Sequence, residues 1–279
     1  MKEYIKLMRV KHYVKNGLVF MPLFFSGMLF NKTYLFNTIQ GFLCFCLVSS
    51  AVYILNDYRD IEKDRKHPIK CNRPLASGKV KPGNALVLMS LSLIITIAVS
   101  LRIGEWKALG FLALYFGLNV AYSMGAKNIP IIDIVILASG FVIRLFYGGC
   151  ITGIEISKWL YLVVVTGSLY MGLGKRRNEL KKQTDTREVL KYYNKAFLDK
   201  NMYVCVTLAN VFYALWTVEM QNRIMIWTVP FFIVILMCYS LDVEGDSDGD
   251  PVEVILKDKV LIGLIAIYAI CVFFLLYLY

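Results

Sequence analysis

The sequence predicts an all-α integral membrane protein with about nine transmembrane helices. Two observations lead there: 58% of the 279 residues are hydrophobic against 18% charged, and the mean hydropathy is +0.57. A third is the spacing, since apolar stretches of bilayer length alternate with basic loops. A soluble core does not need this much apolar material, whereas a crossing helix needs about 20 apolar residues. Residues 1–279 are therefore expected to form a single polytopic membrane domain, with no second soluble domain and no internal repeat.

The first stretch, 14–30, follows Lys2, Lys6, Arg9, Lys11 and Lys15 and shows no small-residue cleavage site. It is expected to be a retained helix and not a signal peptide. The next apolar stretches are 38–55, 84–101, 108–126, 129–150, 159–174, 201–218, 224–241 and 260–279. Loop charge supports this count. Basic residues concentrate on the cytoplasmic side, and with the N-terminus inside, the cytosolic loop 56–83 carries Arg59, Lys63, Arg65, Lys66, Lys70, Arg73, Lys79 and Lys81. The cytosolic loop 175–200 is just as basic, and the acidic loop 242–259 falls on the same side. The expected setting is a prokaryotic plasma (inner) membrane, with the N-terminus and the chemistry in the cytoplasm.

The net charge of +11 does not point to nucleic acid, because the basic residues cluster between apolar stretches and not along one soluble face. Anionic lipid and substrate phosphates fit that distribution better. The seven cysteines show no metal-ligand spacing and are expected as buried free thiols.

The chemistry is expected first in Asn56-Asp57-Tyr58-Arg59-Asp60-Ile61-Glu62-Lys63-Asp64. On a continuous helix Asp57, Asp60 and Asp64 share one face. Three crowded carboxylates repel unless a cation joins them, and hard oxygen ligands suit Mg²⁺, with Mn²⁺ as an alternative. Asn56 adds a neutral oxygen. The competing reading is a solvated helix end neutralised by Arg59, Lys63 and Arg65. Downstream, Pro68 and Pro74 constrain the segment carrying Lys70 and Arg73, which is expected to fold back and hold phosphate oxygens or else to anchor at the membrane surface. His67 is expected to be a structural partner.

The stretch 129–150 carries two charges inside the membrane, Asp133 and Arg144. They share a helix face with Gly140 but lie roughly 16 Å apart, so each needs its own partner. Buried intramembrane charges are functional candidates; a structural pairing is the alternative. Tyr122, Ser123 and Lys127 precede this stretch with two hydroxyls and a cation. Gly174-Lys175-Arg176-Arg177-Asn178-Glu179 closes the sixth stretch, with Lys175 and Arg176 as phosphate ligands and Gly172 and Gly174 leaving room for a ligand. The run Glu244, Asp246, Asp248, Gly249 begins like an EF-hand loop, but Ile255 at the twelfth position rules that out.

Asn56-Asp57-x-x-Asp60-x-x-x-Asp64 followed by His67-Pro68-x-Lys70-x-x-Arg73-Pro74 resembles the first aspartate motif of the UbiA superfamily of intramembrane prenyltransferases. The resemblance implies about nine helices around a central cavity open to the cytosol. It departs in the sixth-to-seventh loop, where the family's second acidic motif is replaced by Gly174-Lys175-Arg176-Arg177-Asn178-Glu179 and Asp185 has no acidic partner. Together with Tyr122-Ser123-x-x-x-Lys127, Asp133, Gly140 to Arg144, Pro251-Val252-Glu253 and Asp258, this is similar to the branch that transfers phosphoribose to decaprenyl phosphate. What the resemblance implies is Mg²⁺-dependent transfer of 5-phosphoribose from 5-phosphoribosyl diphosphate (PRPP) to a polyprenyl phosphate. Asp57, Asp60 and Asp64 would hold the metal. Lys70, Arg73, Lys127, Lys175 and Arg176 would stabilise phosphate charge, and Asp133 would bind a ribose hydroxyl or position the site. Asn56, Tyr122 and Arg144 complete the expected substrate contacts. The rival readings are prenyl transfer to an aromatic acceptor and, less well supported, transport; the oligomeric state stays open.

Overall fold

The computed structural model describes residues 1–182, 187–245 and 251–278, and every regular element in them is helical. In chain order the α-helices are α1 (Lys2–Met8), α2 (Met21–Phe25), α3 (Lys32–Arg59), α4 (Ile61–Arg65), α5 (Pro82–Ile103) and α6 (Trp106–Met124). They continue as α7 (Ile132–Thr152), α8 (Lys158–Lys182), α9 (Lys195–Glu219), α10 (Thr228–Glu244), α11 (Pro251–Lys257) and α12 (Lys259–Tyr277). Local chemistry sets several ends. Asn31 caps α3 by accepting from the amides of Thr33 and Tyr34, Pro82 opens α5, and Gly104 closes it at φ 85°, a conformation glycine adopts without a Cβ penalty.

Among the described residues, six helices are long and apolar enough to cross a membrane: α3, α5, α7, α9, α12, and α10 with the turn that leads into it. Of the nine expected crossings, α6 and α8 are also long, at 19 and 25 residues, but are more polar. Lys107 and Asn119 interrupt α6, and α8 ends in a basic run. The expected first crossing, 14–30, is not one α-helix. Residues Val10–Phe20 form 3₁₀ turns followed by the short α2. Pro22 has no amide hydrogen to give, and this segment is pressed closely onto α7: a Cβ on Gly148 would lie 2.2 Å from the Val19 carbonyl oxygen.

The chain clusters into two compact units, Met1–Met124 with Ile143–Ile154, and Gly125–Val142 with Glu155–Tyr279. In the first unit α3 packs along α5 and against α6 and the 3₁₀ segment, around Phe45, Val48, Leu112, Tyr115, Tyr147 and Ile151. The most apolar part of α3 is 61% buried, so this helix serves as the unit's internal post. In the second unit α8 and α9 form the principal pair, joined by α10 around Tyr170, Leu198, Met202, Tyr239 and Val243. In α12 only 11% of the apolar stretch is buried, leaving apolar side chains such as Ile267, Ile270 and Phe274 exposed on a face suited to lipid.

Helices reach further than the expected loops allowed. α3 runs into 56–83 as far as Arg59, α8 continues through Lys175, Arg176 and Arg177 to Lys182, and the 242–259 segment contains α11. Asp185, Asp246, Asp248 and Gly249 lie outside the described residues. All seven cysteines are free, as expected, but only Cys44 and Cys46 are buried and Cys271 is exposed.

Candidate active site

In the first unit, α3 ends where the acidic motif begins to matter. Asp57 is on its last turn, Asp60 is its C-cap at φ −96°, ψ 10°, and Asp64 is carried by α4. The three acids therefore do not ride one continuous helix face, as the spacing alone suggested. Asp57 and Asp64 are nonetheless brought together, both buried, at 3% and 4% exposure. A single nitrogen of Arg73, Nη1, donates to Asp57 Oδ1 at 3.1 Å and to Asp64 Oδ2 at 2.7 Å. The proline-bounded segment thus folds back over the acids as anticipated. Asp60 is half-buried at the break, and among the described residues no three acidic, histidine or cysteine side chains converge as a metal-ligand group.

A second arginine completes this cluster, and sequence reasoning missed it. Arg9 Nη2 donates to the same Asp57 Oδ1 at 2.6 Å, and its guanidinium lies 4.6 Å from the centre of the Tyr53 ring. It sits in the left-handed region at φ 54°, at the end of α1. In the sequence it is one of five N-terminal cations, which serve equally as an orientation signal, so nothing set it apart. Nearby, Asn56 Oδ1 accepts from Ser123 Oγ. His67 Nδ1 accepts the amides of Ile69 and Lys70, the structural role expected of it, and this holds the turn bearing the half-buried Lys70. Tyr122 is half-buried on the last turn of α6.

Arg144 is also buried in this unit, with 5% exposure. Its Nε donates to Asn16 Oδ1 at 2.8 Å and its Nη2 to the Tyr115 hydroxyl at 3.2 Å. The rings of Phe45 and Tyr115 lie 4.7 and 4.8 Å from the guanidinium carbon. Aromatic faces and neutral oxygens stabilise a cation withdrawn from water, so this arginine ties the 3₁₀ segment to α3, α6 and α7.

The other intramembrane charge, Asp133, belongs to the second unit and has the separate partner that the spacing required. Asp133 and Arg176 are both 0% exposed. Arg176 Nε meets Asp133 Oδ2 at 2.5 Å, and its Nη1 pairs with Glu179 one turn along α8. The Tyr193 hydroxyl donates to Asp133 Oδ1 at 2.6 Å. Burial first, and the hydrogen bond to that carboxylate second, push the Tyr193 hydroxyl up to about 12, so it stays protonated at neutral pH. Arg176, expected to grip substrate phosphate, is thus committed to two carboxylates inside the protein. Its neighbour Lys175 is half-buried on α8, and Lys127 is half-buried on the 3₁₀ turn Ala126–Asn128. The glycines expected to admit a ligand instead admit helices. A Cβ on Gly174 would meet Val243 at 2.9 Å, and one on Gly172 would meet Ile134 at 3.1 Å. A hollow of about 350 Å³ in this unit is lined by Arg177, Leu180, Lys181, Lys195 and Glu244, with Arg177 paired to Asp199.

Buried carboxylates at the end of an apolar helix, crossed by arginines, agree with the resemblance carried by the sequence motif, and comparison with known proteins decides it. The UbiA prenyltransferase family matches residues 19–251. The chain belongs to that family. This UbiA family member is 34% identical to decaprenyl-phosphate phosphoribosyltransferase of Corynebacterium glutamicum, an alignment covering 98% of the chain and 86% of the relative. It is also 34% identical to the enzyme of the same name from Mycolicibacterium smegmatis, covering 92% and 87%. A solved UbiA homologue from Archaeoglobus fulgidus, bound to GPP and Mg²⁺, superposes with a TM-score of 0.72 over 97% of this chain and 99% of that one, at 18% identity. Family membership and the six apolar helices make the protein a multi-pass membrane protein.

Proposed function

We propose that the chain transfers 5-phosphoribose from PRPP to a polyprenyl phosphate, releasing pyrophosphate and forming polyprenyl-phosphoryl-5-phosphoribose. One observation carries this reading: near-full-length similarity to two relatives named decaprenyl-phosphate phosphoribosyltransferase. The basic run Lys175-Arg176-Arg177, standing where other family members are acidic, agrees with it.

The donor set of the first unit fits a divalent cation. Asp57 and Asp64 are buried hard-oxygen ligands already converging on one cationic group, and Asn56 adds an amide oxygen. Mg²⁺ commonly binds through one or two carboxylates and takes its remaining ligands from water and substrate phosphate. Bound there, the ion would neutralise charge on departing pyrophosphate. Asp60, half-buried at the helix break, is close in sequence and is kept as a further ligand.

In the reaction an oxygen of the lipid phosphate forms a bond to the anomeric carbon while the bond from that carbon to pyrophosphate breaks. The phosphate is already an anion, so no general base is required. Arg73 and Arg9 pair with Asp57 and orient it, and together with Lys70 present positive charge beside the acids. Lys127 and Lys175, expected from the sequence as phosphate ligands, are half-buried in the second unit. Preset cations of this kind stabilise developing charge without reorganising, each contributing about 3 kcal/mol when well aimed. Arg144 and Arg176, held by protein partners, keep the framework in place. The basic loops support a reaction at the cytoplasmic face of the plasma membrane.

The test is purified protein with Mg²⁺, PRPP and polyprenyl phosphate, set beside the same protein with a prenyl diphosphate and an aromatic acceptor. Product in the first mixture is the expected result. Product in the second alone identifies a prenyltransferase and overturns the proposal.

A further inference from the structure

The start of α7 carries a backbone conformation that its own sequence disfavours. Ile131 has φ 69°, in the left-handed region where a β-branched residue crowds its own backbone. Its side chain is 57% exposed, so apolar packing does not hold it there. Its amide does, donating to the Tyr193 hydroxyl at 2.6 Å. The same hydroxyl donates to Asp133 Oδ1 at 2.6 Å, so one oxygen joins a strained peptide to a buried carboxylate. The Tyr193 ring is stacked on Phe197 with centroids 5.9 Å apart and planes 8° apart, and Phe197 is fixed at the start of α9 by the Asn194 cap. The turn Glu188–Tyr192, which presents Tyr193, packs against the turn Ala126–Asn128, which presents Lys127. Asp133 is closed on its other side by Arg176, whose second partner, Glu179, also meets Arg187 at 3.6 Å.

We propose that Tyr193 is a positioning residue: its hydroxyl clamps Ile131 and Asp133 together and so sets the placement of the Lys127 turn for donor binding. The part concerning the donor rests on the phosphoribosyl-transfer reading; the clamp rests on geometry alone. Strain kept at one peptide and held by a buried network is a recognised way of fixing a functional segment. Tyr193 touches no substrate in this scheme and acts through Lys127 and Asp133.

Tyr193→Phe removes the hydroxyl and keeps the ring on Phe197. Hydrogen exchange followed by mass spectrometry is expected to show faster uptake in the peptide spanning 126–132, with α10 and α12 unchanged. In the transfer assay, kcat/KM for PRPP is expected to fall about 10- to 100-fold, the range for losing a hydrogen bond to a charged group, while KM for the polyprenyl phosphate stays constant. The double variant Ile131→Gly with Tyr193→Phe regains part of the lost kcat/KM, because glycine holds the left-handed conformation without the clamp. Should Tyr193→Phe alone fail to fold, the same double variant recovers the fold; if it does not, the clamp is wrong. Wild-type exchange at 126–132, or equal losses in both substrates' kcat/KM, overturns the proposal. A wild-type protein that makes no product from PRPP defeats the functional reading separately, and exchange in Tyr193→Phe still decides the clamp.

Discussion

Removing either member of the Asp133–Arg176 pair is expected to have unequal consequences, and the inequality follows from who else is present. Both groups are fully enclosed. Arg176→Met strips the enclosed Asp133 of the guanidinium that pairs it and leaves Glu179 with Arg187 at 3.6 Å; an uncompensated buried charge costs about 3–5 kcal/mol. Asp133→Asn leaves Arg176 still paired with Glu179 and leaves the Tyr193 hydroxyl an amide oxygen to donate to. The cost is that of weakened hydrogen bonds, about 1–3 kcal/mol. At about 2–4 °C per kcal/mol for a chain of this size class, thermal unfolding in detergent separates the variants by several degrees, with Arg176→Met the lower. The double variant is expected to unfold above Arg176→Met, since it removes the stranded charge. Equal Tm values, or Asp133→Asn as the less stable variant, would refute the view that Arg176 is chiefly an internal counter-ion. Wild-type stability in Arg176→Met with a raised KM for PRPP would return that arginine to the substrate.

Asp57→Asn is expected to lower transfer about 100-fold or more at unchanged expression, and a chelator is expected to abolish wild-type turnover until Mg²⁺ is restored; chelator-resistant turnover measured by product formation would remove the metal role. Arg9→Ala leaves Asp57 with Arg73 alone and is expected to raise the KM for PRPP severalfold, whereas Lys2→Ala, a nearby exposed cation, leaves it unchanged; parallel kinetics would show whether Arg9 is only a topology signal. Gly148→Ala places a methyl 2.2 Å from the Val19 carbonyl, and overpacking of this kind costs about 1–3 kcal/mol. A lowered Tm is the expected result, and an unchanged one would mean the 3₁₀ segment yields freely.

Much of the fold was legible because lipid imposes a local rule: every backbone polar group must be satisfied within its own segment, so long apolar runs become helices. That rule located α3, α5, α7, α9, α10 and α12. At 14–30 the run is helical but not one α-helix, because Asn16 is spent on Arg144 and Pro22 starts a new helix. The acidic motif was legible as chemistry and misread as geometry. Regular spacing places Asp57, Asp60 and Asp64 on one face only while the helix continues, and it ends at Asp60. Gly172 and Gly174 show the same limit, since a residue type that admits a close approach does not say whether a ligand or a helix approaches.

The sequence by itself determined that the chain is helical and membrane-embedded, that its acids stand at the end of an apolar helix, and that Asp133 and Arg144 are too far apart to neutralise each other. Those conclusions depend on hydropathy and helical rise, which are properties of neighbours along the chain. Only the tertiary structure decided which charge meets which: Arg73 and Arg9 on Asp57, Arg176 and Tyr193 on Asp133, aromatic rings around Arg144. Such pairs join residues separated by tens of positions, and a charge withdrawn from water is governed by whatever partner folding brings within a few ångströms.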